Sequence, residues 1–159
     1  MAIMRSRRRW DVERRAEAYS ELEHPTDLFL EIHGRDPGDL AENALFAFYD
    51  QIAEIDGFES RREVAFEATG RALDEALRAL LAEALFLFDT EGFVATGGGV
   101  EARWARGPDG PVDLSALVWG EDADRERHTL LHEVKAVTYH RLKAGPAGDS
   151  WKARVLLDL

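Results

Sequence analysis

The first half of the chain opens with an alternating stretch followed by a helical one. Apolar and polar positions alternate over residues 28–33, which predicts a half-buried strand. A helix is predicted next, because apolar residues then recur every three or four positions. Asp36 can cap its first turn and Pro37 suits its first position. We expect this helix to end near Asp56 and Gly57, since glycine is frequent just past a helix end.

The rest of the chain repeats the strand–helix order once and then contains only strand patterns. Alternation over residues 62–68 predicts a second strand, and a more apolar helix is predicted over residues 73–88. Two stretches rich in glycine and proline, residues 107–111 and 144–149, are typical of hairpin connections. The later strands are predicted over residues 100–106, 112–119, 134–143 and 151–159.

The order of these elements indicates the fold class. Strand, helix, strand, helix and then four strands predict a two-layer α+β domain, with two main helices packed on a mostly antiparallel or mixed sheet. Residues 1–18 show no clean apolar period, and we expect them to be a basic leader, either disordered or a frayed helix. We therefore divide the chain into this leader and one domain over residues 19–159.

The charge of the protein is unevenly distributed. The 159 residues carry a formal net charge of −11, yet residues 1–15 hold six arginines against two acids. The acidic remainder is a poor candidate for stable binding of nucleic acid, and is better suited to a cation or a basic protein partner. Two interpretations of the leader stay open: contact with RNA or an acidic surface, or a solvated, mobile terminus.

Cysteine is absent from the chain. This excludes disulfides, thiolate metal sites and a cysteine nucleophile, and it suits a reducing cytoplasm. The apolar runs are too short to span a bilayer, and the residues after Met1 lack the apolar stretch of a signal peptide. We therefore expect a cytoplasmic protein without a membrane partner.

Two aspartates and the chain end are the candidate cation ligands. Asp27 lies where the first strand begins, and Asp158 lies at the end of the last strand, directly before the terminal Leu159. Oxygen ligands of this kind suit hard cations such as calcium or magnesium. These groups converge only if the first and last strands are neighbours. Solvated or capping aspartates are the alternative interpretation.

The motifs of common enzyme classes are missing or incomplete. Residues 97–99 are three glycines, but no Lys-Ser/Thr follows them, so we interpret them as a flexible turn rather than a phosphate-binding loop. His128 and His132 lack the glutamate of a zinc protease motif, and no serine-hydrolase elbow is present. A metal-dependent hydrolase would need a general base, for which His24 is the local candidate.

Three segments, taken in order, resemble the archease family over residues 19–159. The first, residues 23–27, is similar to the acid-His-Thr-small-Asp opening of archeases, although Pro25 and Thr26 stand where Thr-Ala is commoner. The arginine-rich leader is not part of the family pattern. The segments are Glu23-His24-Pro25-Thr26-Asp27, then Gly120-Glu121 with His128 and residues 133–140, and finally residues 151–159 with an aspartate next to last.

The resemblance implies a function and the residues that serve it. Archeases activate the GTP-dependent tRNA-splicing RNA ligase by promoting its guanylylation and multiple turnover, and they are not enzymes themselves. The family binds a divalent metal, which implies a cation held here by Asp27, Asp158 and Leu159, with calcium expected first and magnesium or manganese as alternatives. Lys135 and His24 are the further residues that we expect to serve ligase activation.

The alternative function belongs to a different class. A metal-binding chaperone or scaffold would improve the solubility or assembly of RNA-processing proteins without a direct role in ligase chemistry. It predicts a broad range of clients and no dependence on nucleotide.

Overall fold

The computed structural model describes residues 7–107 and 109–159, which form nine strands and three helices. Short 3-10 turns at Val12–Arg14 and Ile55–Gly57 complete the regular structure. The elements are β1 (Arg8–Arg9), α1 (Arg15–Ala18), β2 (Tyr19–Leu22), β3 (Leu28–Gly34), α2 (Pro37–Ile52), β4 (Arg62–Gly70), α3 (Leu73–Glu91), β5 (Phe93–Trp104), β6 (Val112–Asp122), β7 (Ala136–Val137), β8 (Lys143–Ala147) and β9 (Ser150–Asp158).

The strands form two antiparallel sheets, and the predicted α+β class is confirmed. One sheet has the order β1-β5-β6-β4, and the other has the order β2-β3-β9-β7 with β8 also paired to β9. The sequence predicts a single sheet, whereas the strands divide between two, and α2 packs against β5 of one and β3 of the other. Every residue from Gly38 to Ile52 is buried, so α2 is the central element of the core.

The segment before Tyr19 packs on the domain in this structure, although the sequence analysis treats it as a leader. Trp10 is only 4% exposed, and its ring lies 5.8 Å from that of Phe46 and 6.1 Å from that of Tyr49 on α2. Arg15 forms an ion pair of 2.8 Å with Asp50 of the same helix. Two separate side chains anchor this segment, and such anchors produce no apolar period. Residues 1–6 lie outside the described residues.

The three glycines of residues 97–99 lie inside β5, so their interpretation as a flexible turn is wrong. β1 pairs with β5 at these positions, with Arg8 opposite Gly98 and Arg9 opposite Gly97. A Cβ atom on Gly97 would lie 2.7 Å from the Arg9 Cα and 2.9 Å from the Trp119 Nε1. Glycine is needed here because two backbones and an indole ring approach one another closely.

We expect Gly97→Ala to lower the free energy of unfolding by about 1–3 kcal/mol, since the added methyl overpacks the contact between β1 and β5. Gly145→Ala in β8 is the matched control, because a Cβ there would meet nothing within 4 Å. Its effect is expected to stay within about 0.5 kcal/mol. Urea unfolding of both variants measures the difference, and equal effects would contradict the close approach.

α2 ends at Ile52, earlier than the predicted end near Gly57. Ala53 has an extended backbone and forms an isolated antiparallel bridge with Leu130. The amide of Glu54 then donates to the carbonyl of Thr129 at 3.0 Å. Pairing with a distant segment therefore ends the helix before its local stop signal. α3 extends to Glu91, three residues past its predicted end.

The predicted strand over residues 134–143 is wrong in most of its length. Within it, β7 and Lys143, the first residue of β8, pair with β9, and a tight turn over residues 138–142 lies between them. Arg141 in this turn has a φ of 57°, which no strand accommodates. The connector predicted over residues 144–149 is mostly strand β8, and the reversal itself is at Gly148 and Asp149.

Candidate metal site at the end of β3 and β9

The pairing of β3 with β9 brings the two candidate aspartates to the same end of one sheet. The strands are antiparallel, with Leu28 opposite Leu157 and Gly34 opposite Trp151. Asp27 directly precedes Leu28 and Asp158 directly follows Leu157, so both lie just beyond the first register pair. The first and last of the predicted strands are therefore neighbours, as the convergence of the two aspartates and the chain end requires.

Asp27 has a histidine beside it. The His24 Nδ1 lies 3.6 Å from the Asp27 Oδ2, and each side chain is 19% exposed. This nitrogen is buried and has no hydrogen-bond partner among residues 7–107 and 109–159. The His24 ring meets the ring of Phe29 edge-on at 6.2 Å between centroids. A buried donor or acceptor without a partner is costly, so a ligand bound at this end of the sheet would relieve that cost.

Lys135 lies next to Asp158 through the backbone. Its amide donates to the Asp158 carbonyl at 2.8 Å, and the following residue, Ala136, pairs with Asp158 in β7. The Lys135 side chain is exposed, whereas Asp158 and Leu159 are partly buried. The five residues named from the sequence thus lie along adjoining strand ends, His24 beside Asp27 and Lys135 beside Asp158.

The chemistry of these groups fits a hard cation, but their side chains do not form a preassembled cluster. Two aspartates and the terminal carboxylate of Leu159 supply oxygen ligands only, which is the preference of calcium and magnesium. In the part of the chain that the structure describes, no three histidine, aspartate or glutamate side chains are placed to share a metal ion.

Comparison with known proteins identifies the family. The profile of the archease protein family matches residues 19–159, which is nearly the whole chain. The chain belongs to the archease family. The resemblance read from the three sequence segments is therefore confirmed, and the archease match begins at the first residue of β2. The family description names no enzymatic activity.

Curated archeases align over most of the domain. The archease of Methanopyrus kandleri is 32% identical over 141 residues, which cover 89% of this chain and 99% of that protein. The archease of Methanosarcina acetivorans is 33% identical over 144 residues, covering 89% and 95% respectively.

Solved structures support the same fold. The solution structure of a Methanobacterium thermoautotrophicum protein has a TM-score of 0.78 and 28% identity, covering 90% of this chain and 99% of that one. A crystal structure from Thermotoga maritima, described as an archease and possible chaperone, has a TM-score of 0.52. It is 19% identical, covers 88% of this chain and 96% of that one, and shows the fold alone. Within the described residues, no helix has the length and apolar character to cross a membrane.

A network of charged side chains around the buried Glu121 contacts residues 124–128, in the segment that precedes Lys135. Glu121, at the end of β6, is 4% exposed and accepts hydrogen bonds from the Glu59 amide at 2.8 Å and the His128 Nε2 at 2.9 Å. Arg61 and Arg127 also lie within 3.3 Å of its carboxylate.

The geometry of His128 makes it the donor to this carboxylate. Its Nδ1 accepts a hydrogen bond from the Asp124 amide at 2.9 Å, so the ring proton is on Nε2 and points to Glu121. The ring stacks on Phe58 with centroids 3.7 Å apart. From the sequence, Glu121 is singled out only by the family resemblance, and His128 by that resemblance and by an incomplete zinc protease motif. Their distant partners are the Phe58 ring, the Glu59 amide and Arg61, and no local spacing connects these residues to them.

Proposed function

We propose that this archease activates a GTP-dependent tRNA-splicing RNA ligase by promoting its guanylylation and its repeated turnover. Membership of the family supports the general assignment. The observation that carries the proposal is the β3–β9 register, which brings Asp27, Asp158 and the chain end to one edge of the domain. This edge also displays the exposed Lys135, so the activator has one small surface on which opposite charges lie side by side.

The residues of this edge would hold a divalent cation with Asp27, Asp158 and the carboxylate of Leu159. Calcium is the first candidate, with magnesium or manganese next, since the ligands are oxygens. When bound, such an ion neutralises the repulsion between the carboxylates and attracts phosphate oxygens of a nucleotide. Lys135, whose ammonium is a mobile point charge, would contact the same phosphates from the neighbouring position. His24 lies beside Asp27, with its Nδ1 3.6 Å from the Asp27 Oδ2.

The proposed role is that of a protein cofactor and not of an enzyme. The partner is a protein, because a chain with a net charge of −11 is unsuited to stable contact with the phosphates of RNA. A chain without cysteine suits the cytoplasm, where we propose that it acts.

A multiple-turnover RNA ligation assay with the cognate ligase tests the proposal. Without this protein, we expect product to stop near one equivalent of ligase; with it, we expect product to continue to accumulate, and the covalent ligase–GMP adduct to form at least about tenfold faster. The rate of adduct formation should depend on the GTP concentration. No acceleration by the folded wild-type protein would contradict the proposal.

The same assay distinguishes a ligase activator from the alternative function, a metal-binding chaperone or scaffold. A chaperone would raise the amount of soluble ligase and would protect unrelated aggregation-prone proteins equally well. It would leave the rate of guanylylation per soluble ligase molecule unchanged.

A further inference from the structure

Residues 7–18 form a strap across α2, and they lie outside the part of the chain that matches the archease family, which begins at residue 19. The surface under the strap belongs to the matched part, because it is one face of α2. The residues of this face that contact the strap are Asp39, Glu42, Phe46, Tyr49 and Asp50. The archease domain therefore supplies the face, and a segment added to that domain occupies it.

The centre of the contact is aromatic. The Trp10 ring lies between those of Phe46 and Tyr49, and its Nε1 donates to the Glu42 Oε1 at 3.3 Å. The amide of Trp10 donates to the Thr96 carbonyl of β5 at 2.9 Å. Trp10 thus anchors the strap through its ring, its indole nitrogen and its backbone.

Carboxylates lie on either side of this aromatic centre. The Arg8 Nε donates to Glu42 at 2.9 Å and another nitrogen of its guanidinium lies 3.7 Å from Asp39, while Arg15 donates to both oxygens of Asp50 at 2.8 and 3.2 Å. The three carboxylates are buried, whereas the two arginine side chains are about half exposed. Because a buried charge without a partner is costly, this face of α2 is suited to a segment with cations on both sides of an aromatic ring.

The strap is attached by few interactions. Trp10 and Ala18 are its buried residues, and the others are partly or fully exposed. Its strand β1 pairs with β5 over two residues. Ion pairs of half-exposed arginines contribute little to stability, and segments with few buried contacts open at low free energy. We therefore expect the strap to leave and rebind while the domain stays folded.

The strap also leaves space beside it. A cavity of about 510 Å³ lies along the strap, with Phe46 and Asn43 of α2 on one side and His33 and Ser150 of the second sheet on the other. An occupant longer than the strap has room to extend into it. The cavity is at the end of β3 opposite to Asp27, so this surface is separate from the candidate metal site.

We propose that this face of α2 is a docking groove for a basic segment of a protein partner with an aromatic residue between its cations, and that the strap covers the groove in cis. The strap displays the chemistry of the ligand, since Arg8, Trp10 and Arg15 satisfy the groove in this structure. A chain with a net charge of −11 also favours a basic occupant. Binding of the partner then requires displacement of the strap, which makes the strap an autoinhibitory element. This inference goes beyond the proposed function and does not depend on it.

A protein partner is favoured over the other occupants. The carboxylates of the groove repel the phosphates of RNA. The strap of a second copy would fit equally well, but a tethered strap competes at an effective concentration on the order of millimolar, so occupation in cis is expected at ordinary protein concentrations.

The test uses full-length protein and a fluorescently labelled peptide with the sequence of residues 7–18, whose dissociation constant is measured by anisotropy. Trp10→Ala removes the anchor of the strap. We expect the peptide to bind this variant at least about tenfold more tightly than the wild type, where the groove is covered. Amide hydrogen exchange over the strap should become faster in the variant, while exchange over α2 should stay slow.

Arg15→Gln is a second, milder variant that leaves the aromatic centre intact. Because Arg15 is half exposed, the domain should keep its fold, which circular dichroism checks. Loss of one ion pair loosens the strap, so the peptide is expected to bind about threefold more tightly than it binds the wild type.

A substitution in the groove locates the peptide. In the Trp10→Ala background, Glu42→Gln should raise the dissociation constant of the peptide by about fivefold or more, since it removes the carboxylate that Arg8 contacts. Glu63→Gln in the same background is the matched control, because Glu63 is an exposed glutamate of β4; its effect should stay below about twofold. A peptide with alanine in place of Trp10 should bind neither protein.

The remaining outcomes would overturn the inference. No binding of the peptide to folded Trp10→Ala, or equal binding to this variant and the wild type, would exclude a groove covered in cis. Equal losses from Glu42→Gln and Glu63→Gln would place the peptide elsewhere. Tighter binding of single-stranded RNA than of the peptide would exclude the protein occupant, and a wild-type dimer that exchanges straps would exclude the cis cover. Ligase activation is measured separately, so none of these results bears on the proposed function.

Discussion

Asp158→Asn is expected to abolish activation of the ligase while leaving the protein folded, and Asp27→Asn is expected to do the same. Each change keeps the size of the side chain and removes one of the carboxylates that we propose as ligands for the cation. Calcium affinity, measured by titration calorimetry, should fall by about tenfold or more, because it depends on the number of ligand charges. The backbone pairing of Asp158 with Ala136 does not involve the side chain, so the sheet should persist.

Asp113→Asn is the matched control for these variants. Asp113 is an exposed aspartate of β6, in the other sheet, and its loss should leave both calcium affinity and activation unchanged. Circular dichroism checks that every variant is folded. Unfolding of Asp158→Asn would make the carboxylate structural and contradict the metal assignment. Loss of activation with unchanged calcium affinity would show that the carboxylates contact the ligase directly.

Glu121→Gln is expected to lower the free energy of unfolding by about 2–4 kcal/mol, the second large effect. The buried carboxylate is replaced by a neutral amide, so the hydrogen bonds from the Glu59 amide and the His128 Nε2 are weakened or lost. Urea unfolding at pH 7 measures the loss. The segment leading to Lys135 should loosen with it, which faster amide hydrogen exchange over residues 124–134 would report.

The pH dependence of stability has a definite sign at this site. Burial acts to raise the pKa of Glu121, but donation from the Glu59 amide, Arg127 and His128 outweighs it and lowers the pKa below its usual value of 4.5. The unfolded chain therefore binds more protons in this range, so the stabilisation is present above about pH 4.5 and is lost as the pH falls toward the lowered pKa.

The wild type should accordingly lose more stability between pH 7 and pH 3.5 than Glu121→Gln does. Glu63→Gln, at an exposed position of β4, is the control and should follow the wild type. Identical losses in the wild type and in Glu121→Gln would show that Glu121 does not contribute to acid unfolding.

The sequence by itself determined the elements whose signals are local. Alternation over residues 28–33 predicted β3, and the pair Asp36 and Pro37 marked the start of α2, where the Asp36 side chain accepts from the Asp39 amide. The period of the second helix predicted α3, and Gly92, with a φ of 73°, ends it. Such signals act within a few residues, so they can be read from a short window.

The sequence also determined which residues are candidates for the site, but not that they would meet. Asp27 and Asp158 are separated by nearly the whole chain, and only the antiparallel register of β3 and β9 places them at the same end. The family resemblance implied their common role. Whether their side chains bind a cation stays a prediction.

Only the tertiary structure decided the features that depend on distant partners. The bridge between Ala53 and Leu130 ends α2 before its predicted end. Gly97, predicted to lie in a flexible turn, instead lies inside β5, where β1 pairs with it. The positions of Trp10 and Glu121 likewise follow from partners on other elements. Local patterns show the period of a segment. Contacts between segments far apart in the chain depend on how the whole chain packs, and those contacts decided the ends of elements and the shape of the site.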